Sequence, residues 1–266
     1  MDSGRLTAGG KSLEWAAWGQ ASARPTLVLL HEGLGCLARW KDFPGKLAAA
    51  TGLRVFAYSR AGYGQSDPVT LPRPLDYMTR EAVEVLPGVL DFIGPGQVIL
   101  MGHSDGATIA AIHAGSVEDF RVRGLILMAP HFFTEPMGLA AIAEAKAAYA
   151  ATDMRERMAK FHADPDNAFR GWNDAWLDPG FVAWNVADVI DYLRIPALVI
   201  QGEQDQYGTR AQVDEVDSRS YAPVDVAMLP DCRHSPHQDQ PQAVLDAVAE
   251  FCARLERIEA ERVEIV

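Results

Sequence analysis

Gly102-His103-Ser104-Asp105-Gly106 follows the apolar run Val98-Ile99-Leu100-Met101 and precedes Ala107-Thr108-Ile109-Ala110-Ala111-Ile112-His113. The order is strand, sharp turn, helix, with a serine at the turn. Small residues two before and two after the serine let the backbone turn without a side-chain clash. The hydroxyl is then held above the end of a sheet, where it can attack a carbonyl. A serine hydroxyl is a weak nucleophile at neutral pH. It needs a base to take its proton, and the base needs a carboxylate to fix its tautomer. The carboxylate candidate is Asp205, in Gly202-Glu203-Gln204-Asp205-Gln206 just past the apolar run 197–201. The base candidate is His234, in Cys232-Arg233-His234-Ser235-Pro236 after the run 224–229. Parallel strands share a C-terminal edge, so these loops and Ser104 leave the sheet on one side. Glu203 is the rival acid. His237, about one helical turn further on, is the rival base. His103 neighbours the serine, but adjacent side chains point apart, so it packs against or orients the turn.

An acyl-transfer centre also needs backbone donors for the developing oxyanion. One is expected from the N–H of Asp105, at the start of the helix after the serine. The second is expected from His31-Glu32-Gly33-Leu34-Gly35, the loop after the apolar run 26–30. Gly33 is the first choice and Leu34 the rival. His31, at the strand end, reads as structural. Glu32 is unusual, because a charge beside an oxyanion repels it. It either turns away and pairs with Arg60 or tunes a bound water.

The elements that must hold these groups alternate along the chain. Residues 6–8 and 12–18 read as an edge hairpin. Strands are expected at 26–30, 54–58, 97–101, 122–128, 195–201 and 224–229. Helices are expected at 40–50, interrupted near Pro44, at 79–93, kinked or broken at Pro87, at 105–115, and at 241 to about 262. Such alternation implies a mostly parallel sheet covered by helices on both faces. The rhythm breaks once, where 131–194 is too long for a connection and is alanine-rich and then aromatic. It is expected to form a helical subdomain over Ser104. Residues 1–130 and 195–266 form the core on this reading.

The chain has 266 residues, enough for a core that needs no metal or disulfide. Its formal charge of -12, with no basic cluster, argues against nucleic acid or an anionic membrane surface as partner. Three cysteines, Cys36, Cys232 and Cys252, form no paired pattern, which fits a reducing, cytoplasmic setting. The start lacks an apolar signal-like segment, and the longest apolar runs are strand-sized. No phosphate-cradling loop appears, and His162, Asp164 and Asp166 lack the further ligands of a metal site. Neither cofactor nor metal is expected. The charged terminal helix is compatible with a homodimer.

The chain resembles the α/β-hydrolase superfamily along nearly its whole length. His31-Glu32-Gly33-Leu34-Gly35 is similar to that family's oxyanion loop, with Glu32 standing where most relatives carry glycine. Ser59-Arg60-Ala61-Gly62-Tyr63-Gly64-Gln65-Ser66-Asp67 is similar to its arginine–glycine–serine loop. The serine turn, the Gly202 to Asp205 loop and His234-Ser235-Pro236 follow in the family's order. The resemblance implies an eight-stranded core, an inserted cap and a Ser-His-acid mechanism. It sets aside the branch that uses an aspartate nucleophile, the haloalkane dehalogenases and soluble epoxide hydrolases, since Ser104 holds that place.

The residues expected to line a substrate site are Glu32, Leu34, Trp40, His103, Phe132, Trp172, Trp176 and Trp184, and Arg39 is a candidate for a substrate carboxylate. The leading function is hydrolysis of a small, partly apolar ester, lactone or thioester. The alternatives are carbon–carbon cleavage of a dienoic diketone of the meta-cleavage type, or a non-hydrolytic role such as acyl transfer or binding.

Overall fold

The computed structural model describes residues 1–263. Eight strands form one sheet: β1 Asp2–Ala8, β2 Lys11–Trp18, β3 Thr26–Leu30, β4 Arg54–Tyr58, β5 Val98–His103, β6 Val122–Met128, β7 Ala197–Gly202 and β8 Val224–Leu229. Their order is β1-β2-β4-β3-β5-β6-β7-β8. β2 pairs antiparallel with β1 and β4, and every other neighbouring pair is parallel. The helices are α1 Phe43–Thr51, α2 Tyr77–Arg80, α3 Leu86–Ile93, α4 Asp105–Ser116, α5 Pro136–Ala151, α6 Met154–Met158, α7 Pro165–Trp176, α8 Arg210–Arg219, α9 Pro236–Asp239 and α10 Pro241–Val263. The mostly parallel sheet, flanked by helices, is the architecture expected from the alternation. The inserted helical region, α5 to α7 with two short 3-10 turns, lies between β6 and β7. Positions 264–266 of the expected core segment lie outside the described residues.

Central strands are apolar on both sides because helices cover both faces. Leu27, Leu29, Val55, Ala57, Ile99 and Met101 pack against Phe43 and Leu47 of α1 and Val248 and Phe251 of α10. Val28, Leu30, Phe56, Tyr58, Val98 and Leu100 face the other way, toward Tyr77, Leu86, Ile109 and Ile112. Period-two alternation therefore assigns each strand residue to a layer.

Three local readings change. β1 begins at Asp2, where its pairing with β2 starts opposite Ala17, and its exposed first residues carry no apolar pattern that would have marked them. Pro44 does not interrupt a helix. A 3-10 turn, Leu37–Trp40, ends at Lys41 with φ 54°, and Pro44 sits in the first turn of α1, where its missing N–H has no intrahelical partner to lose. The break expected at Pro87 is present but falls one turn earlier. A π-turn over Glu81–Val85 joins α2 to α3, and Pro87 falls in the first turn of α3.

Candidate active site

β5 ends at His103 and α4 begins at Asp105, so Ser104 alone makes the turn, at φ 54° and ψ −121°. A non-glycine residue in that region is strained and persists only where its surroundings impose it. Here the imposing contact is close backbone packing. A Cβ on Gly102 would lie 2.2 Å from the Gly106 carbonyl oxygen, and one on Gly106 would lie 2.1 Å from the Leu30 carbonyl oxygen. The turn thus presses β5 and α4 together beside the end of β3, and Ser104 stays 6 % exposed.

Asp205 leaves the end of β7 and His234 follows β8. The Nδ1–H of His234 donates to Asp205 Oδ2 at 2.8 Å, with Oδ1 at 2.9 Å. Asp205 also accepts from Gln201 Nε2 at 2.9 Å and from the Tyr207 N–H at 2.8 Å. Burial pushes the Asp205 carboxyl up, but the His234 ring and the Tyr207 N–H outweigh it and bring the pKa down to about 2. With Nδ1 committed to the carboxylate, the tautomer leaves Nε2 as the acceptor. Tyr207, His131 and His103 pack around the ring at centroid distances of 4.7, 5.4 and 5.2 Å.

Ser104 and His234 line one cavity of about 230 Å³. Glu32, Gly33, Leu34, Arg39 and Asp105 form its core side, and Leu139, Ile142, Trp172 and Trp176 its cap side. Among the described residues, the N–H groups of Gly33, Leu34 and Asp105 meet no acceptor. A Cβ on Gly33 would come within 2.3 Å of the Trp172 ring, so the cap rests directly on this loop.

Of the expected residues, the structure gathers Ser104, His234, Asp105, Gly33, Glu32, Leu34, Trp172 and Trp176 at the cavity, with Asp205 behind His234. Four others lie elsewhere. Trp40 is buried in the layer under α1, against Phe43 and His237. His103 is fully buried on the same side as Trp40, with centroids 6.5 Å apart. Phe132 is fully buried, its N–H donating to Gln212 Oε1 at 2.7 Å. Trp184 stacks on Phe181 at 4.9 Å and meets Trp176 edge-on. The rivals are also elsewhere, Glu203 being exposed and His237 buried between Trp40 and Phe43.

Glu32 does not pair with Arg60 through its carboxylate. The Arg60 guanidinium donates instead to the backbone oxygens of His31 and Glu32, clamping the loop from below. The His31 ring accepts from the Arg60 N–H at 3.0 Å and donates to the Glu32 carbonyl at 2.7 Å. His31 is therefore neutral: burial, then Arg60, holds it well below the ordinary imidazole value. The Glu32 carboxylate faces His103 Nδ1 at 3.6 Å and Arg39 Nε at 3.9 Å.

Several lining residues escaped the sequence reading. Gln206 and Tyr207 share the Asp205 loop, and His131 stands just beyond β6, so strand-end position was the available signal. Tyr77 had none. Its hydroxyl donates to Asp105 Oδ2 at 2.5 Å and accepts from Trp176 Nε1 at 3.0 Å, linking cap to turn across long stretches of chain. His162 is a loop residue, as expected, but a buried one whose Nδ1 accepts from the Gly64 N–H at 3.0 Å.

Residues 27–247 match the model of the alpha/beta hydrolase family. The chain belongs to that family. Epoxide hydrolase B of Mycobacterium tuberculosis is 28% identical over 205 residues, covering 76% of this chain and 54% of that protein. The chain thus spans about half the length of this curated relative. Among solved structures, the proline iminopeptidase of Mycobacterium smegmatis superposes with a TM-score of 0.75 at 17% identity, over 97% of this chain and all (100%) of the other. The enol-lactonase of Burkholderia xenovorans superposes with a TM-score of 0.72 at 20% identity, over 94% and 100% of the two chains. Both likenesses are of fold. Among the described residues there is no cluster with the makings of a metal site, and no helix is long and apolar enough to cross a membrane.

Proposed function

We propose that this family member is a serine hydrolase acting on a small, partly apolar ester, lactone or thioester. The observation that carries the reading is a strained serine and a carboxylate-held histidine opening on one cavity. In this mechanism His234 Nε2 takes the Ser104 proton as the oxygen attacks the carbonyl. The N–H groups of Asp105 and Gly33 hold the oxyanion. His234 then returns the proton to the leaving group, and water repeats the sequence on the acyl-enzyme.

The cavity argues for size. About 230 Å³ falls below the usual range of drug-sized sites, which favours short acyl chains over long ones. The wall is mixed, with Leu139, Ile142 and Trp172 facing Glu32, Arg39 and Gln206. An epoxide-opening aspartate has no counterpart. Ser104 occupies the turn, and the Asp105 carboxylate is fully buried and bound by Tyr77. The enol-lactonase shares this fold, and a lactone is a compact ester of the size favoured here.

The test is a series of p-nitrophenyl esters and small lactones, run with Ser104→Ala. Turnover should fall steeply from butyrate to decanoate, and Ser104→Ala should lower kcat by roughly 10³-fold or more. Turnover untouched by Ser104→Ala would sink the assignment. Cleavage of a dienoic diketone without ester turnover would move it to carbon–carbon hydrolysis.

A further inference from the structure

His234 is held from two sides. Asp205 grips its ring, and His103 grips its backbone. His103 Nε2 lies 2.6 Å from the His234 carbonyl oxygen. A carbonyl only accepts, so Nε2 carries the proton of that bond. The other nitrogen, Nδ1, is buried and has no hydrogen-bond partner among the described residues; the Glu32 carboxylate faces it at 3.6 Å, at ion-pair distance. Trp40 and His237 close around the same ring at 6.5 and 5.1 Å between centroids, which fixes its plane. Glu32 is fixed as well. Its Oε2 would lie 2.2 Å from a Cβ on Gly35, so the carboxylate is folded onto its own loop.

We propose that Glu32 and a His103 ring carrying a proton on each nitrogen form a second carboxylate–imidazole couple whose role is to position the first. This rests on the reading of Ser104, His234 and Asp205 as catalytic. Glu32 precedes Gly33 in the oxyanion loop. His103 precedes Ser104 in the turn and bonds the backbone of His234. One contact therefore locks together the donor loop, the nucleophile and the base. This also accounts for a carboxylate beside an oxyanion site. Its charge faces His103 and Arg39. Glu32 and His103 are positioning residues and take no part in bond making.

The experiment follows phosphonylation of Ser104 by a small fluorophosphonate, with kcat and KM for p-nitrophenyl acetate and the melting temperature. Glu32→Gln keeps shape and removes charge. It should slow labelling and lower kcat about tenfold, with KM within threefold and melting unchanged. His103→Phe should be at least as slow, and His103→Gln, which retains a donor for the His234 carbonyl, should recover part of the loss. Glu32→Gln combined with His103→Phe should be no slower than His103→Phe alone, because the pair acts as a unit. Labelling of Glu32→Gln at the parent rate, or independent multiplication of the two effects, would overturn the proposal while leaving the serine mechanism intact. Label on a residue other than Ser104, undiminished in Ser104→Ala, would instead remove the underlying reading. Should His103→Phe fail to fold, Glu32→Gln decides alone.

Discussion

The two faces of the sheet are built by the same alternation yet hold different chemistry. The face under α1 and α10 is filled by Leu27, Leu29, Ile99, Met101, Val248 and Phe251. The face under α2 to α4 carries apolar residues too, but also buries Arg60, Glu81, Asp105, Arg73 and the hydroxyls of Tyr58 and Tyr77. There the Arg60 and Arg73 guanidinium groups lie 5.1 Å from the Tyr63 ring centre, one on each count. Burial raises the Glu81 and Asp105 carboxyls, although Arg60 and Arg73 oppose it. Asp105 Oδ1, Arg60 Nε, Glu81 Oε2 and the Tyr58 hydroxyl have no partner among the described residues. Unpaired buried polar atoms cost stability. They stand where Arg60 clamps the oxyanion loop and Tyr77 meets the serine turn. The α2 to α4 face gives up stability to hold the site's backbone in place, while the α1 and α10 face is packed apolar except at the site end, where Trp40 Nε1, His103 Nδ1 and His237 Nδ1 are also unpartnered among the described residues.

The largest expected effect breaks the apolar face. Phe251→Ala removes a ring that is 1 % exposed. It should cost about 3–5 kcal/mol in urea unfolding and leave kcat of the folded fraction unchanged. A large loss of kcat would show that this face also shapes the site. A smaller effect tests the polar face. Tyr77→Phe leaves Trp176 Nε1 and Asp105 Oδ2 without the hydroxyl that joins them. It should cost about 1–3 kcal/mol in stability. Its kcat should also fall, roughly tenfold, because in the proposed mechanism the Asp105 N–H is an oxyanion donor whose placement matters. Stability lost at full kcat would make the polar cluster structural only.

Much of this division was legible in the residues. The small–X–Ser–X–small turn and the loops at successive strand ends gave the serine, histidine and aspartate positions, since each depends on a local pattern. His103 was legible in principle. Alternation along β5 places it with Ile99 and Met101, facing away from the cap, so nearness to Ser104 misled. Trp40 failed for a related reason, because a loop position does not say which side of the sheet its helix will cover. The Trp176–Tyr77–Asp105 chain was not legible at all. Its members meet only through the fold, and no spacing rule relates a cap helix to the residue after Ser104.

The effect that is smallest at neutral pH appears as the pH is lowered, and it separates the faces by titration. His237, on the apolar side between Trp40, Phe43 and His103, is pushed down to about 3, chiefly by burial and then by His103. His131, beside the cavity, is pushed down to about 3 by burial and then by His234. An unfolded histidine takes up a proton near pH 6.5, whereas these folded ones refuse it until about 3. Between those values the unfolded chain binds more protons, so stability falls as pH falls, by at most about 1.4 kcal/mol per pH unit for each group. His237→Gln should flatten the melting-temperature profile between pH 6.5 and 4 with little change in kcat at pH 8. His131→Asn should flatten it similarly but lower kcat, because its ring packs on His234. If His237→Gln lowered kcat as much as His131→Asn, the two faces would not be functionally separate. The rings in contact from His237 through His103 to His234 would then be one continuous support.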